Sequence, residues 1–259
     1  MSTNDLVAAS IERHPTRFQG FAVLPMPAPD EAALELRRAV TQCGLRGAMV
    51  CGRTRDKNLD HPHFLPVLRT AAELNVPVFI HPQIPQASVR AALYAGFGEP
   101  VDTAFAAFGL GWHYEAGVQF VRLILAGVFD RFPNLQIILG HWGEVVLFYI
   151  ERLKSLARVA KLERPVEEYF KRNLYVTSSG MWNQTYLQTR IGDRRAGTHF
   201  IFHELSVSIP SGATGAVIFA GYRPVARGKR GIRTRQLGET NVSVLVLMAV
   251  PLPRDVNVW

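Results

Sequence analysis

The 259-residue sequence has little cysteine, little charge and no long apolar run. Its two cysteines, Cys43 and Cys51, cannot build a disulfide framework or a four-thiolate zinc site; both flank apolar segments and are read as reduced core thiols. Charged residues make up 19%, below the ~25% usual in soluble proteins, and hydrophobic residues 48%, which excludes a disordered chain and supplies a large core. No apolar run reaches the ~18 residues of a membrane span, and Met1 to Ser10 lacks the basic, apolar and small-residue order of a secretion signal. The expected location is the cytoplasm.

Short apolar runs alternate with helical patterns through the first 190 residues. GFAVLP (Gly20 to Pro25) precedes a helical pattern from Ala28 to Cys43, with Asp30 as its expected N-cap. RGAMVC (Arg46 to Cys51) precedes one from about Pro62 to Leu74, and VPVFIH (Val76 to His81) precedes a long connection containing Gly and Pro. A helix from about Tyr114 to Phe129 leads to LQIILG (Leu135 to Gly140), another is expected from about Glu144 to Ala160, and LYVTS (Leu174 to Ser178) makes a fifth strand. Continuous apolar strands without in/out alternation suit a parallel sheet buried on both faces, hence an α/β fold. No Gly-x-Gly-x-x-Gly turn follows any of them, which favours a βα barrel over a doubly wound sheet.

The net charge of +8 is uneven. Residues 1–190 carry 20 Lys+Arg against 17 Asp+Glu, and residues 191–259 carry 9 against 4, with six bases between Arg223 and Arg235. Regular periodicity ends near residue 190. On charge alone the tail suits nucleic acid, but no aromatic interleaving or recognition fold accompanies it.

His81 and His141 each end an apolar strand, where a barrel keeps its active site, and Glu144 follows His141 by three residues. One isolated imidazole at a strand end would more simply cap a loop carbonyl. Two equivalent placements on successive strands point to a metal or acid/base site, although spacing does not assign the roles. His14, His61 and His63 read as loop imidazoles, and His199 and His203 fall in the tail. His113, in GLGWHYEAG, is a weaker candidate that would reach the site from a lid, with Trp112 and Phe108 as core or pocket aromatics.

VPVFIHP, FDRFPNLQIILGHWGE and EYFKRNLYVTSSG, with RHPTRFQGFAVLP and RGAMV, resemble the metal-dependent amidohydrolase superfamily, in its aminocarboxymuconate-semialdehyde, γ-resorcylate and dihydroxybenzoate decarboxylase branch. The resemblance covers roughly residues 4–188. It implies a (β/α)8 TIM barrel with one divalent metal, zinc or manganese, at its carboxyl mouth, a small carboxylic-acid substrate and a homo-oligomer. His81 then corresponds to a metal ligand, His141 to the catalytic histidine and Glu144 to its acidic partner. A protein acid protonates the ring carbon and CO2 leaves; related members hydrolyse lactones or amides.

Strands three to seven of such a barrel are recognisable here, whereas one, two and eight are missing or scrambled. The Glu-x-His or His-x-His ligand pair of the first strand and the aspartate of the eighth do not appear, so metal is expected to be held poorly. The edges left by absent strands favour association. A one-base shift of frame permits Leu-Phe-Ser-Thr-Asn-Tyr-Pro-Tyr over Phe200 to Ser208 and Ala-Phe-Ala-His-Ala-Asn-Trp-Glu-Arg-Leu over Gly231 to Asn241, which resemble the family's two C-terminal motifs. Residues 1–190 are therefore read as a partial, N-terminally truncated barrel. Residues 191–259 are read as a poorly ordered tail, out of frame from near Thr189 to Arg195. The functions this leaves are a decarboxylase, impaired in this chain, a hydrolase, a non-catalytic fragment and, last, a basic nucleic-acid-binding protein. Sequencing the coding DNA from upstream of Met1 through the stop codon should reveal the frame break; an unbroken frame together with tail peptides from the purified protein would refute it.

Overall fold

The computed structural model describes residues 2–13, 15, 18–177, 181 and 199–201. The expected frame break, the basic run from Arg223 to Arg235, His14 and His203 lie outside the described residues. Six parallel strands follow one another across one sheet: β1 (Ala22–Val23), β2 (Ala48–Cys51), β3 (Pro77–His81), β4 (Gln136–Leu139), β5 (Leu174–Thr177) and β6 (His199–Ile201). Strand order that never reverses is that of a barrel wall, because a doubly wound sheet turns back at its switch point. β1 and β6 do not pair, so the described sheet is an open part of a barrel. Five of the strands coincide with the apolar runs read from the sequence. The sixth lies in the segment read as out of frame, its backbone joined to β5 with Tyr175 opposite His199. Ladder bonds are made by backbone groups, so an exposed edge accepts an extended chain with little regard to side chains.

Five principal helices cover the sheet: α1 (Thr3–Glu12), α2 (Pro29–Thr41), α3 (Leu65–Glu73), α4 (Gly111–Leu125) and α5 (Val166–Asn173). None among the described residues is long and apolar enough to cross a membrane. Asp30 is not the N-cap of α2: Ala28 holds that place with no side-chain bond, Pro29 starts the helix, and Asp30 and Glu31 lie in the first turn, where the macrodipole favours them. The single helix expected from Glu144 to Ala160 is absent. A tight turn at His141–Glu144 leads instead into the short pieces Val146–Tyr149, Ile150–Leu153 and Leu156–Ala160.

The period of two along each strand divides the core. Ala48, Val50, Val78, Ile80, Ile137, Leu139, Leu174 and Val176 pack with the helices, joining Leu36, Leu68, Phe120 and Leu123 in one buried cluster. Met49, Phe79 and Ile138 form a second cluster on the opposite face, with Phe21 and Tyr175 against it. Both faces are thus buried, which is why the strands read as unbroken apolar runs.

The outer edge of β1 is not left open. Ala22 gives its N–H to Gly47, so the next residue, Val23, turns its polar groups away from β2. Its N–H donates to Asn4 Oδ1 at 2.8 Å and its carbonyl accepts from Asn4 Nδ2 at 2.9 Å. One carboxamide on α1 stands in for a neighbouring strand, which tempers the expectation of edge-driven association at this side. Asn4 is itself 2% exposed. Asn4→Ala should cost about 1–3 kcal/mol in chemical denaturation, the range for orphaning buried backbone groups. A loss within the ~0.5 kcal/mol typical of neutral surface changes would contradict this role.

Candidate functional site at the carboxyl end of the sheet

The face that carries Met49, Phe79 and Ile138 continues by two residues to Cys51, His81 and Gly140 at the strand ends. Cys51 lies directly opposite His81 in the β2–β3 register. Both cysteines are free thiols, as expected, but Cys51 belongs to the mouth of the sheet, and burial raises its pKa. His81 places Nδ1 2.7 Å from the carbonyl oxygen of Pro82. A carbonyl can only accept, so the ring proton lies on Nδ1 and the lone pair of the neutral ring on Nε2. Burial is the main cause that depresses the His81 pKa; the Pro82 bond opposes it, while nearby His141 and His113 lower it further and Glu144 raises it.

Directly after β4 the backbone enters a left-handed turn. His141, Trp142, Gly143, Glu144 and Val145 have φ of +43°, +59°, +83°, +50° and +64°. Four of the five are not glycine, and each such residue costs on the order of 1–2 kcal/mol, strain of the kind that accumulates at functional sites. The turn brings the side chains of His141 and Glu144 together, with Nδ1 and Oε1 2.7 Å apart. Trp142 is buried and donates its indole N–H to the carbonyl of Met181 at 2.8 Å.

The third member comes from α4. His113 Nδ1 lies 2.7 Å from Glu144 Oε2, its ring centroid is 4.4 Å from that of His141, and Trp112 Nε1 donates to His113 Nε2 at 3.0 Å. Gly117, one turn further along, makes this approach feasible: a Cβ there would collide with the Glu144 carbonyl oxygen and lie 2.8 Å from Val146 Cγ1. His113, the weaker candidate from the sequence, is therefore a full member of the cluster. It sits in the first turn of α4, 31 residues from its partner in the chain. The bare backbone contact at Gly117 was the available signal, since glycine inside a helix usually reports close packing.

Glu144 has 0% exposure, and both of its oxygens face imidazole nitrogens. Burial pushes its pKa up, but the hydrogen bonds from His113 and then His141 outweigh that, and the carboxyl ends below its ordinary value. It is a buried carboxylate at neutral pH. Two surface hollows of about 460 and 590 Å³ lie elsewhere, and neither His81, His113, His141 nor Glu144 lines them.

His113, His141 and Glu144 have the residue types and proximity of a metal site, with ligand atoms within 4.8 Å of one another. Their hydrogen bonds use those atoms otherwise. Both carboxylate oxygens face imidazole nitrogens and His113 Nε2 faces the Trp112 N–H, so the three do not converge lone pairs on one point. As arranged, they do not fit a catalytic metal's usual set of about three protein ligands.

The sequence pattern of the amidohydrolase family matches residues 1–180. The chain belongs to the amidohydrolase family. It is 35% identical over 186 residues to the decarboxylase orsB of Emericella nidulans, covering 70% of this chain and 56% of that one. It is 36% identical over 189 residues to a γ-resorcylate decarboxylase of a Polaromonas species, covering 68% and 56%. Among solved structures, a dihydroxybenzoic acid decarboxylase of Polaromonas with bound manganese and the inhibitor 2-nitroresorcinol superposes with a TM-score of 0.67 at 32% identity, over 77% of this chain and 61% of that one. The chain thus spans just over half the length of these curated relatives. The relatives bear out the sequence resemblance and the incomplete barrel.

A folded state that disfavours protonated His81 loses stability as pH falls. Below about pH 6.5, where an ordinary imidazole takes up a proton, the unfolded chain binds one that the folded chain refuses. His81→Asn should therefore flatten the decline in denaturation midpoint between pH 7 and pH 5, and an unchanged slope would contradict this reading of His81.

Proposed function

We propose that this amidohydrolase carries the proton-transfer half of a decarboxylase acting on hydroxybenzoate-like aromatic acids. The observation that carries the reading is the wholly buried Glu144 carboxylate set between two imidazoles. A buried anion stabilises an adjacent imidazolium, and with Nδ1 of His141 turned to Glu144 the proton to be transferred sits on Nε2. His141 then protonates the ring carbon that bears the substrate carboxylate. The carbon–carbon bond breaks, its electron pair returns to the ring, and CO2 leaves; His141, now neutral, regains its proton from solvent.

In this reading His81 is a metal ligand through Nε2, and manganese is favoured over zinc by the manganese-bound relative. The described residues do not assemble a full ligand set, and the proton-transfer steps above use protein groups alone. A small carboxylic acid as substrate, a cytoplasmic location and a homo-oligomer complete the reading, the first supported by the aromatic-acid decarboxylases among the relatives.

The test is turnover of 2,6-dihydroxybenzoate by the purified full chain with added Mn²⁺, followed as CO2 release and resorcinol formation. His141→Asn and Glu144→Gln should each lower the rate by about 10²–10⁴-fold, the usual worth of a positioned proton donor. Absence of CO2 release from hydroxybenzoates, or hydrolysis of an amide or lactone in its place, would overturn the proposal.

A further inference from the structure

Arg53 follows the end of β2 by two residues and Glu115 follows His113 by two on α4, so both stand at the carboxyl end of the sheet. Arg53 Nε and Glu115 Oε2 lie 3.9 Å apart, beyond hydrogen-bond length, and the two side chains are 14% and 21% exposed. Among the described residues the buried Arg53 Nε has no acceptor, and no hydrogen-bond donor reaches the Glu115 carboxylate. We infer that Arg53 Nε–H and the Glu115 carboxylate together form a binding site for one hydroxyl group of an aromatic acid.

The gap between the two charges is built into the frame. Arg53 Nη1 donates to the carbonyl of Arg55 at 3.0 Å, Nη2 donates to the carbonyl of Ile84 at 3.1 Å, and the Arg53 backbone N–H donates to Gln83 Oε1 at 3.1 Å. With both ends of the guanidinium and its own backbone committed, Arg53 is not free to swing onto Glu115. Glu115 is fixed by its helix. One turn further along α4, the buried Gln119 accepts from the Leu59 N–H at 2.9 Å and donates to Asn58 Oδ1 at 2.9 Å. Its side chain also packs on Gly52, where a Cβ would collide with Gln119 Cγ. The connection that carries Arg53 is therefore tied to the helix that carries Glu115, and the spacing of the pair is held from both sides.

The chemistry of the two atoms selects the ligand group. A guanidinium N–H can only donate and an ionised carboxylate can only accept. A hydroxyl does both at once: its lone pair takes the Arg53 Nε–H and its proton goes to Glu115, and the gap is narrow enough for one oxygen to reach both. A carboxylate would bring a second negative charge to Glu115 with no proton to offer it, and an ammonium would bring no lone pair to Arg53. Burial raises the Glu115 pKa and the Arg53 charge only partly opposes this, so a donated proton meets a real deficit at the carboxylate. Ile84, whose carbonyl Arg53 holds, is 37% exposed and offers apolar surface beside the pair.

The inference rests on the decarboxylase reading only for naming an aromatic acid as the bearer of the hydroxyl; binding is measured without turnover, so the two fail separately. In the full chain labelled with ¹⁵N-arginine, phenol should shift the Arg53 Nε–H resonance and benzene should not. 2,6-Dihydroxybenzoate should displace the phenol, and benzoate at the same concentration should not. Glu115→Ala should weaken phenol binding about 10–100-fold, the worth of a hydrogen bond to a charged group. No shift with phenol, an equal shift with benzene, or 2,6-dihydroxybenzoate displacing phenol no better than benzoate does would each overturn the inference. Unchanged phenol affinity in a folded Glu115→Ala protein would overturn it as well. The first three results need no substituted protein, and a dihydroxybenzoate that binds in this way without losing CO2 would count against the proposed reaction alone.

Discussion

A carboxylate with no exposure to water must be surrounded by donors, and the arrangement around Glu144 follows from that constraint. Losing either imidazole would leave a buried charge short of a partner, a defect worth several kcal/mol. Two features of the backbone meet the need. The left-handed turn after β4 supplies His141 from the same few residues, and the bare backbone of Gly117 lets α4 approach to supply His113. The strain of four non-glycine residues at positive φ is tolerated because the surroundings over-determine the turn: Trp142 is anchored by its indole bond and Glu144 by both oxygens.

Beneath this cluster the sheet provides a dry floor. Met49, Phe79 and Ile138 exclude water below the mouth, and His81 rises from the same face one step further along β3. The buried setting that keeps His81 neutral also leaves its lone pair on Nε2, the configuration a metal ligand needs. His81 and His141, on successive strands, both commit Nδ1, but His81 commits it to the neutral carbonyl of Pro82 and His141 to the Glu144 carboxylate.

Much of the fold was legible because burial on both faces writes a simple pattern. VPVFIH and LQIILG read as parallel strands and are β3 and β4, and His81 and His141 at their ends were recognisable from position alone. The turn at His141–Val145 was not, since nothing in HWGEV demands a left-handed path and a Glu three residues after His141 resembles a helix start. The role of Asn4 was also hidden. A polar residue near the N-terminus looks solvated until the fold sets it against the edge of β1, 19 positions away.

The sequence by itself determined the layered α/β architecture, the family and two of the three cluster residues, because those depend on local periodicity and on motifs contiguous in the chain. Only the tertiary structure decided that His113 joins them and that the candidate metal group is bound up in its own hydrogen bonds. Those outcomes depend on the close crossing of α4 over the turn after β4, a contact between segments some thirty residues apart that leaves little trace in either segment alone.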